Sequence, residues 1–214
     1  MILNINKPVG WSSFDVVKKI RGITGEKKVG HGGTLDPFAE GVLILGTGKD
    51  TKKLSSVTSS DKSYIFTLNL GSTTDTLDTE GTVIEKQVMP TLSKSKVIDK
   101  INSFLGESFQ TPPMYSAKKV NGKKLYELAR KNINIIREPV KITIKEFSLI
   151  SYNLPNLILS VTVSKGTYIR VLGKDLAERL GTIGYLTKLV RTRVSTYLLS
   201  DSLTIDAFEK KWKS

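Results

Sequence analysis

Along this chain, segments with the two-residue period of a strand alternate irregularly with segments of helical period, and this order restricts the fold class. Strand character marks "MILNINKP", "GVLILGTG" (41–48), "SYIFTLNLG" (63–71), "VKITIKEFSLI" (140–150), "NLILSVTVSKG" (156–166) and "RTRVSTYLL" (191–199). Helical character marks 12–25, 93–106, 168–181 and 204–213. The strands are not separated by helices in strict βαβ order. The expected class is therefore α+β, a mixed, largely antiparallel sheet flanked by helices. The 140–150 and 156–166 strands are expected to pair.

The helix ends carry their own signals. Ser12 followed by Asp15 is the carboxylate form of a capping box, and Gly25 suits a C-terminal stop. Val16, Ile20 and Ile23 fall on one face of that helix. Ser93 and Thr204 suit N-caps, and Val97, Ile101, Phe104 and Leu105 are expected to point inward. Residues 107–138 break the pattern with a double proline, a basic stretch, an Asn-Gly turn at 121–122 and a short helix in "KKLYELAR". They are the expected insertion in a single domain of 1–214.

Composition narrows the chemistry. The 214 residues include no cysteine, which excludes disulfides and thiolate metal sites, and only one histidine, which argues against a zinc centre. No run approaches the roughly 18 apolar residues of a membrane span, and the N-terminus lacks a signal-peptide profile, so a soluble cytoplasmic protein is expected. The 33 Lys and Arg exceed the 20 acids by 13, more than the magnitude of about 2 to 8 that solubility needs. A surface of this sign attracts phosphates, and nucleic acid is the expected partner rather than membrane.

Two motifs could carry chemistry. "GTGKDT" resembles a phosphate-binding loop, but position 43 is Leu where that loop needs Gly, and position 50 is Asp where it needs Ser or Thr. "GHGGTLDP" (30–37) holds the sole histidine, His31, and places Asp36 before Pro37. Turn chemistry alone reads it as a tight turn, because its glycines permit positive φ and Pro37 biases Asp36 away from the helical region. Three further stretches change that reading: "KPVGWSS", "QTPPMYSAKKVNGKKLYELAR" and "SKGTYIR".

Together with "KVGHGGTLDPFAEGVLILGTGKDTK", these stretches resemble, in order from Lys7 to Val194, the bacterial TruB-type tRNA pseudouridine synthases. The resemblance implies an isomerase that turns a uridine of the tRNA T-stem loop, conventionally position 55, into pseudouridine without cofactor or metal. It implies Asp36 as the catalytic carboxylate, attacking C1′ or removing a ribose proton to give a glycal. Arg170 would orient that carboxylate, and Tyr64 would stack on the base and take the C5 proton. Tyr168 and Leu189 would line the uracil pocket, and His31 would fill the space left by the flipped base, with the glycines giving its turn room to approach RNA. Asp75 and Lys7 are expected near the substrate. Residues 107–138 match the family's thumb, with Lys118, Lys119, Lys123 and Lys124 on phosphates. Family members continue into a C-terminal PUA domain, which is not expected here, and act as monomers. The alternatives are an RNA-binding relative without catalysis and a guide-RNA-dependent synthase.

Overall fold

The computed structural model describes residues 1–120, 122–131 and 133–214. In chain order the elements are β1 (Ile2–Lys7), α1 (Ser13–Thr24), β2 (Val29–His31), β3 (Glu40–Thr47), α2 (Leu54–Ser59), β4 (Lys62–Leu70), β5 (Ser72–Thr74), β6 (Val83–Lys86) and α3 (Lys94–Asn102). There follow β7 (Gly106–Gln110), β8 (Lys119–Val120), β9 (Lys123–Lys124), α4 (Leu125–Ala129), β10 (Val140–Asn153), β11 (Asn156–Val163), α5 (Ile169–Arg179), β12 (Gly184–Val194), β13 (Tyr197–Leu198) and α6 (Ile205–Lys213). Two compact units result, one from Met1–Phe66 with Lys188–Ser214, the other from Thr67–Thr187. β4 and β12 contribute residues to both.

The first unit is organised around β3. β1 pairs antiparallel with it, from Ile2↔Gly46 to Lys7↔Gly41. β2 pairs antiparallel with its end, placing His31 opposite Leu45. β12 runs parallel to it, with Arg191 opposite Gly41. Leu43 and Leu45 face Val16, Val17 and Ile20 of α1 and Phe208 of α6, while Val42 and Ile44 face Leu54 and Val57 of α2. Covering on both faces explains why β3 is an unbroken apolar run rather than an alternating one. Each such side chain contributes about 1.5–3 kcal/mol on burial.

α1 forms where its signals lie. Ser12 caps it in a capping box with Asp15, and Gly25 closes it at φ +69°. The unit's loops differ more from expectation. α2 is absent from the sequence reading, because "LSSVTS" offers only Leu54 and Val57 as apolar contacts. The last long strand begins at Gly184 rather than Arg191 and is joined by the short β13.

In the second unit β10 pairs antiparallel with β11, from Ile144↔Val163 to Asn153↔Asn156, as expected. Its other edge pairs antiparallel with β7, from Val140↔Gln110 to Ile144↔Gly106. Residues 107–110 are thus sheet, and the irregular region starts after Gln110. Val97, Ile101 and Phe104 are buried, but Leu105 is exposed, because the helix has ended and the chain turns at Gly106 (φ +97°). Within 111–138, β8 and β9 form a hairpin pairing Lys119 with Lys124, and α4 buries Leu125 fully. Asn121 of the expected Asn-Gly turn lies outside the described residues. Among the described residues no helix is long and apolar enough to cross a membrane.

Candidate active site

The turn that carries Asp36 is held by its backbone, almost atom by atom. The guanidinium of Arg191 donates to the carbonyls of Gly33 (3.1 Å), Thr34 (3.2 Å) and Val42 (2.7 Å). The Ser13 hydroxyl donates to the Leu35 carbonyl at 3.0 Å and accepts from the Leu35 N–H at 2.8 Å. The Asp36 carbonyl accepts from the Ala39 N–H at 3.1 Å. The Pro37 carbonyl accepts from the Gly10 N–H at 2.8 Å and from the Lys7 ammonium at 3.3 Å. Lys7 also donates to the carbonyls of Pro8 (2.9 Å) and Trp11 (2.5 Å). A half-buried carboxylate is thus carried on a backbone with little freedom, which limits where it can be presented.

Gly41 explains how both cations reach this turn. It sits in β3 opposite Lys7 on one side and Arg191 on the other. Its φ is +110°, and a Cβ there would drive into the backbone of Arg191. Lys7 and Arg191 are essentially inaccessible to solvent. Burying a cation is expensive unless it is hydrogen-bonded, and charge-assisted bonds to carbonyls of about 1.5–3 kcal/mol each offset that. The Lys7 ammonium thus bonds three backbone carbonyls in and beside the turn.

The glycines of the turn also serve the protein first. A Cβ at Gly32 would press on Val57 at 2.7 Å, and Gly33 adopts φ +116°. Gly32 permits close packing on α2 and Gly33 a left-handed turn. His31 lies on β2 rather than in the turn proper. Its imidazole is held below its usual pKa by burial and then by the nearby Arg191 charge, against a smaller opposing effect of Gly33. A neutral ring results at physiological pH, which suits stacking better than phosphate binding.

Tyr64 is buried on β4, on the same strand face as Lys62, whose stem lies alongside Gly33. The Lys62 ammonium is tied to the carbonyls of Val57, Thr58 and Ser60. Leu189 is buried two residues before Arg191 on β12. The first unit thereby gathers Lys7, His31, Asp36, Tyr64 and Leu189.

The second unit holds the remaining expected residues. Arg170 lies in the first turn of α5 and is almost fully buried. It donates to the carbonyls of Thr76 and Tyr115, each at 2.7 Å, and pairs with Asp78 at 3.2 Å. Asp78 is buried and also accepts from the Thr76 hydroxyl (2.6 Å) and the Glu80 N–H (2.9 Å). Between them Leu77 adopts φ +65°, a left-handed conformation that a branched residue keeps only when its surroundings impose it. The buried acid of this loop is Asp78, not Asp75. Asp75 is exposed, accepts from the Thr82 N–H at 2.9 Å and reaches the Tyr115 hydroxyl at 3.5 Å, because its place at the loop mouth leaves it to local turn bonds. Tyr168 precedes α5, with its N–H and carbonyl both bonded to the buried Gln110 side chain.

Comparison with known proteins now bears on this geometry. The profile of a family described as TruB family pseudouridylate synthase (N terminal domain) matches residues 21–169. The chain is 44% identical over 210 residues to the protein named tRNA pseudouridine synthase B of Caldanaerobacter subterraneus subsp. tengcongensis, covering 98% of this chain and 74% of that one. Its namesake in Clostridium kluyveri is 46% identical over 210 residues, covering 98% and 72%. The chain belongs to the TruB family.

Among solved structures, this TruB-family chain matches a chain in a Cbf5-Nop10-Gar1 complex with a TM-score of 0.77 and 26% identity. That match covers 100% of this chain and 55% of the other, so the chain spans about half the length of that relative. The family profile includes His31, Asp36, Tyr64, Asp75 and Tyr168 but ends before Arg170. Sequence reasoning missed Ser13, Gly41, Asp78 and Arg191. Asp78 had a local signal, being the second acid of "TDTLD", whereas Arg191 had none, since its carbonyl partners lie about 150 residues away.

Proposed function

We propose that this TruB-family chain isomerises a uridine in the T-stem loop of tRNA, at the conventional position 55, to pseudouridine. The observation that carries the proposal is the anchored turn of residues 33–37, which fixes Asp36 through bonds to Gly33, Thr34, Leu35 and Pro37. The reaction is balanced within the nucleotide. The N1–C1′ bond breaks, the base turns, C5 joins C1′, and a proton leaves C5 while N1 gains one. Asp36 acts at the sugar, either on C1′ or on a ribose proton. Tyr64, buried on the strand face that leads to the turn, takes the C5 proton, and Arg170 has the orienting role implied by the resemblance. Tyr168 and Leu189 line the base pocket. Flipping the uridine costs a few kcal/mol of stacking, and neutral His31 offsets part of it by occupying the vacated stack.

The same reading takes the irregular region after Gln110 as a thumb, with Lys118, Lys119 and Lys123 available for phosphates. It places the enzyme in the cytoplasm, acting as a monomer. Identity of 44% to the stand-alone tRNA synthase against 26% to the Cbf5 chain favours this over a guide-dependent relative.

The test is tritium release from an unmodified tRNA transcript carrying [5-³H]uridine. Wild-type protein releases the label, and Asp36→Asn lowers release by at least about 10³-fold, as expected when the reacting group itself is removed. Release by Asp36→Asn at the wild-type rate would exclude Asp36 from the chemistry. No release by the wild type would favour the binding-only alternative.

A further inference from the structure

We infer that the groove between α1 and α6 is a second RNA site, which takes the sugar–phosphate backbone of the tRNA substrate outside its T-arm stem-loop. The inference rests on the proposed function for the identity of the RNA. The groove, of about 700 Å³, lies wholly within the first unit and is walled by Gly10 and Trp11, floored by Gly22 and Ile23, and edged by Lys18, Lys19 and Lys213. Its size falls within the roughly 300–1,000 Å³ typical of ligand sites.

Its charge is more one-sided than its residue types suggest. Both carboxylates that face it are already engaged. Asp15 caps α1, accepting from the Ser12 N–H (2.8 Å) and hydroxyl (2.6 Å). Glu209 bridges Lys19 (2.7 Å) and Lys213 (2.6 Å), which together hold its carboxyl down at about 2. Among the described residues, Lys18 and Arg21 of α1 and Lys210 and Lys211 of α6 form no ion pair. Within the lining itself Lys18, Lys19 and Lys213 outnumber Asp15 and Glu209 by one, so the groove is net positive, and Arg21 follows Lys18 one turn along α1. The core of a protein–protein interface is depleted in such charges, so the groove favours a polyanion over a protein.

An exposed aromatic belongs to the groove wall. Trp11, which lines the groove, is 36% exposed, and Phe14, one helical turn before Lys18 on α1, is 62% exposed. Aromatic faces next to unpaired cations suit nucleic acid, where bases stack and phosphates are neutralised. The wall is also tied to the chemistry. The Trp11 carbonyl accepts from Lys7, and the Gly10 N–H donates to Pro37, next to Asp36. The groove wall and the catalytic turn therefore share a fixed piece of backbone.

The test uses the full chain with Lys18→Glu and Arg21→Glu together, and Lys94→Glu with Lys96→Glu on α3 as a control of equal charge change. Binding is measured across a salt series, to an unmodified tRNA transcript and to the T-arm stem-loop alone. Loss of two phosphate contacts lowers the slope of log Kd against log salt by about 2, and like charge at those positions weakens tRNA binding about tenfold or more at 0.1 M salt. Stem-loop binding stays as in the wild type, and the control pair changes neither RNA. In a Trp212→Phe background, Trp11 fluorescence is quenched by tRNA but not by the stem-loop. An unchanged salt slope, an equal loss for both RNAs, or an unquenched Trp11 would overturn the groove site. Failure of tritium release by the wild type would instead overturn the isomerase reading, since these binding readouts do not depend on turnover.

Discussion

Two loops in this molecule are built around a buried arginine, and they neutralise it differently. In the second unit Arg170 faces a carboxylate, Asp78, as well as the carbonyls of Thr76 and Tyr115. In the first unit Arg191 is satisfied by carbonyls alone, and among the described residues it has no acidic partner. Hydrogen bonding is served in both places, but the field is not. A carboxylate cancels the guanidinium charge, whereas carbonyl dipoles leave a net positive charge in place. The 74–80 loop is therefore a locally neutral clamp, and the 33–37 turn is a clamp with a standing field. That field reaches His31, whose pKa it helps to lower.

The largest consequence is expected at the neutral clamp. Asp78→Ala strands a buried guanidinium, a change that costs about 3–5 kcal/mol. For a chain of this size that corresponds to a Tm lower by about 10 °C, read by thermal melting. An unchanged melting temperature would show that the ion pair is dispensable and would erase the contrast between the loops.

At the charged clamp the expected effect is on catalysis first. Arg191→Lys keeps the charge but loses the fork, since one ammonium cannot reach three separated carbonyls. The turn loosens, and kcat falls by about 10²-fold, the cost of a misplacement of about 1 Å, with KM nearly unchanged. Equal and large losses in both parameters would assign Arg191 to substrate binding instead. Lys7→Met tests the companion cation. It leaves Pro8, Trp11 and Pro37 carbonyls short of a donor, and a destabilisation of about 2–3 kcal/mol is expected in urea melts.

The smallest effect concerns pH. His31 is the only histidine of the chain, so its imidazole resonances can be followed without ambiguity. Its pKa in the folded protein lies below the ordinary 6.5. Between the two values the unfolded chain binds more protons than the native one, so stability rises with pH. Acidification through 6.5 therefore lowers stability, and His31→Gln removes that part of the slope in urea melts at pH 5 and 7. A native midpoint at or above 6.5 would mean that the Arg191 field does not reach the ring.

What the sequence made legible follows the range of the interactions. α1 could be read whole, because Ser12, Asp15 and Gly25 act on their own helix. The β10–β11 pairing was legible from its two adjacent apolar runs. Asp36 and His31 stood out because glycine and proline mark a turn locally. Arg191 did not, because a basic residue on a strand discloses nothing about which distant carbonyls it will meet. Ser13 was hidden for the same reason: nothing in its local sequence marks its bonds to Leu35, 22 residues on. Asp78 and Asp75 are chemically alike and three positions apart, and only burial separates them. The start of β12 was misplaced because "GYLTKLV" alternates too weakly between apolar and polar residues to announce a strand.

Gly41 carries a consequence for anyone wishing to move this chemistry to another scaffold. The eight residues of "GHGGTLDP" are not a portable cassette. Their shape is imposed by Lys7, Ser13 and Arg191, which arrive from two other strands and a helix, and the two cations flank a position where there is no room for a side chain. A graft of the octapeptide alone would transfer the carboxylate but leave its aim behind, and the smallest transplantable unit is the three-strand crossing with the bare position at its centre.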